Sequence, residues 1–298
     1  MDGITAEFAA YVADLVQRGG PRDGEDSGFT SWVDRFDKAK QKGIVSETDR
    51  LEVLEAFGDA VSLDTMQGMV VQQPHGYAGD YETIDRIYAS WMSPRPDLIN
   101  WDRYFHAQAA PKAVRNRKAY FHGTLDELQK RSPRACVLNL GAGPGRCMLE
   151  WLDANCGTKV TFDCTDVDKA AVAYARKLTA RHSQSIAFHE RNVLRYRPTR
   201  EYDLVWAGGL FDYFDDRMFV AVARRMLSAV ARGGQLVIGN FAVGNPSRAY
   251  MELGGWVLHH RTPSDLEALM VASGAPAGSV RVGLEPEGVN LFVHVSRA

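Results

Sequence analysis

The residues best suited to chemistry in this chain are a run of small ones, Gly141-Ala142-Gly143-Pro144-Gly145, directly after the apolar string ACVLNL. Glycine at such a place lets a ligand approach the backbone, because no Cβ stands in the way. A turn that closes a strand and opens a helix is also where an open α/β sheet binds its ligand. The dinucleotide pattern G-x-G-x-x-G needs a third glycine where Arg146 stands, and no G-x-x-x-x-G-K-[ST] string occurs, which disfavours dinucleotides and nucleoside triphosphates. Among the histidines, His75 has the chemistry of a general base near neutral pH, although a satisfied surface residue is the simpler reading. His259-His260 lacks a third ligand nearby, so no metal is expected.

The elements that must position the glycine run are legible as a change of grammar near residue 131. From Arg134 onward short apolar runs alternate with helical patterns: KVTFDCTD, AAVAYARKLTARH, SIAFHERN, YDLVWAGG, MFVAVARRMLSAV and GGQLVIGNF. That alternation implies βαβ units and a parallel, doubly wound sheet. The last two runs, SVRVGLEP and NLFVHVSR, are separated by too few residues for a crossover and must form an antiparallel hairpin. Before residue 131 the pattern is helical. Ile4, Phe8, Tyr11, Val12, Leu15 and Val16 mark one helix face, Trp32, Val33, Phe36 and Ala39 a second. A third helix opens at Ser46 and is expected to turn Leu51, Val53, Leu54 and Phe57 inward. QQPHGYAGD at 72–80 reads as a structured loop, and the basic stripe Arg103, Lys112, Arg115, Arg117, Lys118 as a solvated helix face. The expected organisation is a helical domain over 1–131 and an α/β sheet domain over 132–298.

Composition narrows the function classes. The 298 residues are 45% apolar and 24% charged, which is globular, and the net charge of −2 leaves no footprint for nucleic acid. Cys136, Cys147, Cys156 and Cys164 form no C-x-x-C pair and read as reduced thiols. The acidic, amphipathic start MDGITAEFAAYVADL is not a signal peptide, and no window approaches 18 uninterrupted apolar residues. These features point to a cytoplasmic protein without a membrane or nucleic-acid partner; a homodimer is compatible with them.

G-x-G-x-G after a strand resembles the first motif of the class I S-adenosylmethionine (SAM) dependent methyltransferases, and the likeness extends over about 132–298. It implies a seven-stranded Rossmann-like fold with SAM as cofactor. In FDCTDVD it places Asp166, 25 residues after Gly141, on the ribose hydroxyls with Val167 beside it, and leaves Asp168 as a helix N-cap. Asn192 and Val193 would border the adenine; Gly208 and Gly209, after the fourth strand, would let the backbone approach the ligand. Asn139 stands where the commonest form of the motif carries an acid for the methionine ammonium. It either bonds that ammonium through its carbonyl or, lacking charge, lets the amine lose its proton more easily.

A closer resemblance covers the whole chain. GYAGDYETIDRIY at 76–88, AVRNRKAY at 113–120, GLFDYF at 209–214 and GNFAVGNPSR at 239–248 are similar to a bacterial branch with a helical N-terminal domain. That branch includes 3-hydroxypalmitic acid methyl ester synthases and azetidine-2-carboxylate synthases, the latter cyclising SAM itself. The resemblance therefore implies methylation of a small molecule, such as a hydroxy acid, in secondary or signalling metabolism, or alternatively SAM cyclisation with release of methylthioadenosine. A SAM-binding protein without turnover is the remaining alternative. Tyr77, Tyr81, Tyr174 and Tyr213 could offer aromatic faces to the sulfonium. Asp80 could receive the SAM ammonium or a substrate proton, or simply cap a helix. Arg115 or Arg117 could anchor a carboxylate, while Phe211 and Phe214 read as core.

Overall fold

The structure, a computed structural model, describes residues 3–298, which form two compact units. The first takes in the chain up to Lys112 together with Pro246–Val257; the second comprises Ala113–Asn245 and Leu258–Ala298. The division expected at 131/132 followed the change in sequence pattern. The spatial division instead runs through a single long helix, and a short segment from the far end of the chain joins the helical unit.

The first unit is built from α1 (Gly3–Gln17), α2 (Asp26–Gln41), α3 (Glu47–Ala56), α4 (Met66–Gln72), α5 (Tyr81–Tyr88), α6 (Ile99–Ala107) and the first turn of α7 (Ala109–Arg131). Its core gathers Phe8, Phe29, Phe36, Phe57, Trp101 and Tyr104. The α3 start is fixed by a reciprocal cap between Ser46 and Asp49, which satisfies two backbone donors that the first turn leaves open. Val53, Leu54 and Phe57 point inward as expected, but Leu51 is 49% exposed. At about 100° per residue Val53, Leu54 and Phe57 share an arc of about 100°, and Leu51 falls about 60° outside it.

The second unit holds the sheet. In chain order it comprises β1 (Cys136–Leu140), α8 (Arg146–Ala154), β2 (Thr161–Asp166), α9 (Lys169–Leu178), β3 (Ile186–Glu190), β4 (Tyr202–Ala207), α10 (Asp216–Leu227) and β5 (Val230–Phe241). The segment α11 (Arg248–Leu253) belongs to the helical unit; α12 (Pro263–Ala272), β6 (Val280–Leu284) and β7 (Asn290–Ser296) complete the sheet unit. The strand order is β3-β2-β1-β4-β5-β7-β6. Strands β1 to β5 pair in parallel, and β7 is antiparallel to both β5 and β6. The doubly wound sheet with a closing hairpin is the expected architecture. One core layer contains Leu138, Leu140, Val205 and Ile238, and the other Val137, Phe162, Leu204, Trp206 and Val237. Alternate residues of β1 and β4 thus face opposite layers, as the pleat dictates. The sheet order reverses between β1 and β4, and there the carboxyl ends of the strands leave a crevice.

Candidate functional site

Three glycines shape the turn after β1, all with left-handed backbone: φ is +60° at Gly141, +55° at Gly143 and +79° at Gly145. They are required for different reasons. A Cβ on Gly145 would lie 3.2 Å from Ala175 Cβ and 3.3 Å from Phe188 Cζ, so this glycine lets α8 close against the sheet. A Cβ on Gly141 would stand 3.2 Å from Leu210 Cβ, whereas one on Gly143 would meet nothing within 4 Å. The backbone of Gly143 therefore borders open space that a ligand can enter.

Asp166, the last residue of β2, is bonded into the same turn. Its Oδ2 accepts the Gly143 N–H at 2.9 Å and its Oδ1 the Asp168 N–H at 3.0 Å. Burial pushes its carboxyl pKa up, and these N–H groups partly offset the effect. Each oxygen retains a lone pair, so the carboxylate can still accept two donors from a ligand. Val167 beside it is 65% exposed, an apolar side chain left outside. Asp168 caps α9 through Ala170 N–H, as its position suggested.

The other sequence candidates in this unit fall into distinct settings. Asn139 is buried in β1 and donates from Nδ2 to Met148 Sδ at 3.1 Å. Asn192 is exposed, and its Oδ1 accepts the Leu194 N–H at 2.9 Å, closing a local turn. Val193 packs its side chain into the core, so only its backbone is available to a ligand. Tyr174 is half-buried on α9 and Tyr213 is 37% exposed, while Phe211 and Phe214 are buried as expected.

Gly208 was expected to admit the ligand, but the space beside it belongs to the protein. A Cβ there would lie 2.9 Å from Trp206 Nε1 and 3.3 Å from Arg117 Cδ. Arg117 itself is 8% exposed and donates from Nη1 to Gly208 O at 3.3 Å. The basic stripe of α7 is thus not the solvated face its composition suggested. Lys118 pairs with Glu150 at 2.5 Å, and Arg115 is half-buried in surroundings that disfavour its charge.

In the helical unit, Gly76 and Gly79 take positive φ and Asp80 is the N-cap of α5, its Oδ1 accepting from Glu82 N–H at 2.9 Å and Thr83 N–H at 2.8 Å. Asp80 is fully buried, and burial raises its pKa. Tyr81 is buried and packs against His75 with ring centroids 4.4 Å apart and the planes tilted by 41°, and His75 Nε2 lies 3.1 Å from Glu82 Oε2. Tyr77 is half-buried in the same loop.

Sequence reading missed Asp212. It lies in the 3₁₀ turn Phe211–Tyr213 after β4, is 1% exposed, and accepts the Phe241 N–H at 2.6 Å through Oδ1. Burial pushes its pKa up to about 6, against the opposing charges of Arg117 and Arg261. The available signal was an acid inside an aromatic string, GLFDYF, which the neighbouring aromatics obscured.

Comparison with known proteins bears on this geometry. A profile for a methyltransferase domain matches residues 137–234, from β1 into β5. Solved structures share the topology at low identity. A possible exported protein from Bordetella parapertussis is 18% identical with a TM-score of 0.61, over 99% of this chain and 96% of its own. Magnesium protoporphyrin IX methyltransferase from Synechocystis PCC 6803 with bound S-adenosylhomocysteine is 13% identical with a TM-score of 0.54, over 78% of this chain and all of its own. The fold is that of the class I methyltransferases. The pyocyanin biosynthetic protein PhzM, 16% identical over 74% of this chain and 62% of its own, also superimposes, with a TM-score of 0.50. No curated protein matches the sequence significantly. Within this class I fold the glycine turn and Asp166 occupy the carboxyl ends of β1 and β2. Among the described residues, no helix is long and apolar enough to cross a membrane.

Proposed function

We propose that the chain binds S-adenosylmethionine at the glycine turn and transfers its methyl group to a small-molecule acceptor of the hydroxy acid class. The observation that carries this reading is the interlock of Gly143 and Asp166: a backbone facing open space, bonded to a carboxylate with two lone pairs to spare. When bound, SAM supplies a methyl group activated by the neighbouring sulfonium. The residues fit it. Asp166 takes the two ribose hydroxyls, the exposed Val167 side chain meets one adenine face, and Asn192 with the Val193 backbone borders the adenine edge. Gly141, Ala142, Gly143 and Gly145 shape the cradle for the amino-acid part, beside Asn139. What remains is positioning: nucleophile and methyl carbon must be held about 3 to 3.5 Å apart with water kept out.

Tyr174 and Tyr213 are assigned aromatic faces toward the sulfonium. Of the two arginines, Arg115 is the better carboxylate anchor, since Arg117 is engaged at Gly208. The four cysteines, all free thiols, accord with a cytoplasmic location.

One observation favours a second reading, cyclisation of SAM to azetidine-2-carboxylate. The residue that the resemblance assigns to the ammonium is the neutral Asn139, which is buried with its amide nitrogen given to Met148. The two reactions separate when the protein is incubated first with SAM alone and then with SAM plus 3-hydroxybutyrate. Acceptor-dependent S-adenosylhomocysteine supports transfer; methylthioadenosine without acceptor replaces it with cyclisation; no heat on titrating SAM in a calorimeter removes both.

A further inference from the structure

The helical unit contains an apolar cavity of its own, lined only by residues of that unit. Its free space is about 490 Å³ with the open mouth included, a size in the range of small-molecule sites. Leu54 of α3, Val70 of α4 and Phe105 of α6 contribute to the wall, as do Met251, Leu253 and Trp256 from the segment that carries α11. Among the described residues, no charged side chain lines it.

Three polar side chains reach the wall, and each is engaged with the protein. Gln67 donates from Nε2 to Ala60 O at 2.7 Å and accepts the Tyr250 hydroxyl on Oε1 at 2.7 Å. Ser247 Oγ accepts the Ala110 N–H at 3.1 Å. Burial raises the pKa of the Tyr250 hydroxyl well above its ordinary value, so this group stays uncharged. A charged or hydrogen-bonding group entering the cavity would therefore give up its water partners without replacement. Water itself needs two to four polar partners to be held, and apolar cavities that lack them stay dry and accept hydrocarbons.

The wall is also tied down, which keeps the space from collapsing. Arg50 donates from Nη1 to Leu253 O at 2.7 Å, and the Tyr250 ring stands edge-on to Tyr104 and Phe29, with centroids 5.2 and 6.1 Å apart. Empty space inside such a wall costs stability, because the lining atoms lack contacts on one side. A ligand that supplies those contacts recovers the loss.

We infer that this cavity is a binding site for the uncharged hydrocarbon part of a small molecule, whose polar end stays at the mouth. Every residue used belongs to the helical unit, so the inference stands apart from the SAM reading. The recruitment of Pro246–Val257 into that unit then has a use: the segment supplies part of the wall of a site.

The test titrates the full chain with 1-octanol and with 1,8-octanediol, followed by calorimetry and by the rise in Tm. Saturable binding of octanol is expected, with the diol bound about tenfold or more weakly, because its second hydroxyl must be buried without a partner. 8-Bromo-1-octanol should quench tryptophan fluorescence, and the saturable part of the quenching should vanish in Trp256→Phe. Two variants that fill the space, Val71→Phe and Ala110→Leu, should keep Tm at or above that of the wild type and weaken octanol about tenfold or more. The inference is overturned by no saturable binding of octanol up to its solubility, by equal affinity for the diol, by quenching that persists in Trp256→Phe, or by undiminished affinity in both filled variants. If the filled variants do not fold, the comparison of octanol with the diol and the quenching at Trp256 still decide.

Discussion

Gly143 and Gly145 share a left-handed backbone, yet a methyl group added at each would meet different surroundings, and this separates binding from folding at single-atom resolution. Gly145→Ala forces a Cβ against Ala175, Phe188 and Thr179 on top of the backbone strain. We expect it to cost about 2 to 4 kcal/mol, combining strain of about 1 to 2 kcal/mol with overpacking, read as a clear fall in Tm. Gly143→Ala incurs only the backbone strain and should fold with a small loss of Tm, but its methyl occupies the space assigned to the ligand. Calorimetry should show SAM affinity reduced at least tenfold in that variant. Asp166→Asn should weaken SAM by about 1.5 to 3 kcal/mol, as loss of charged hydrogen bonds does. Because burial raises the Asp166 pKa, the wild-type affinity should fall as pH drops through that raised value, and Asp166→Asn should lose this dependence. A flat wild-type profile from pH 4 to 8 would contradict the ribose assignment.

At the scale of elements, α5 tests whether Asp80 does more than start a helix. Its Oδ1 holds the Glu82 and Thr83 N–H groups, a cap whose loss in Asp80→Ala costs about 0.5 to 2 kcal/mol. Asparagine caps nearly as well, so Asp80→Asn should keep its Tm and, if the side chain handles a proton or an ammonium, lose at least tenfold in turnover. Unchanged turnover would return Asp80 to a structural role. The unit β1–turn–α8 was legible in the sequence because one residue type carries its geometry: glycine is what positive φ selects, and the apolar run before it is what a buried strand requires. Arg117 and Asp212 were not legible. A charged residue on an amphipathic pattern is ordinarily solvated, and only the return of the chain at Arg261 and the closeness of Gly208 and Gly209 to α7 bury these two. Such contacts join positions far apart in sequence, where no local period reports them. Leu51 shows the converse: periodicity names a face, but not how wide a strip of it the neighbours cover.

At the scale of the molecule, alternation of strands and helices with a short last connection was enough to dictate the parallel sheet and its antiparallel hairpin. The recruitment of Pro246–Val257 into the helical unit left no mark, because α11 there is only six residues long. The sheet unit also carries two buried titratable groups whose effects on stability oppose each other. Asp212 has its pKa raised to about 6, above the usual carboxylate value of about 3.9. Between those values the folded protein binds more protons than the unfolded chain, so this group removes stability as pH rises from about 4 through 6, by about 3 kcal/mol in all. His294 on β7, bonded to the Tyr120 hydroxyl at 2.8 Å, has its pKa lowered to about 4 by burial and by Arg281. Here the unfolded chain binds the extra proton, so stability is lost as pH falls from about 6.5 to 4. The wild-type protein should therefore show a shallow dependence of Tm on pH across this interval, because two slopes of opposite sign overlap. Relative to wild type, Asp212→Asn removes one falling slope, so its Tm should gain with pH from 4 to 6.5; His294→Gln removes one rising slope, so its Tm should lose over the same range, each read as a difference from the wild-type profile. Parallel Tm profiles for the two variants would show that one of the two groups is not held in its buried, uncharged form.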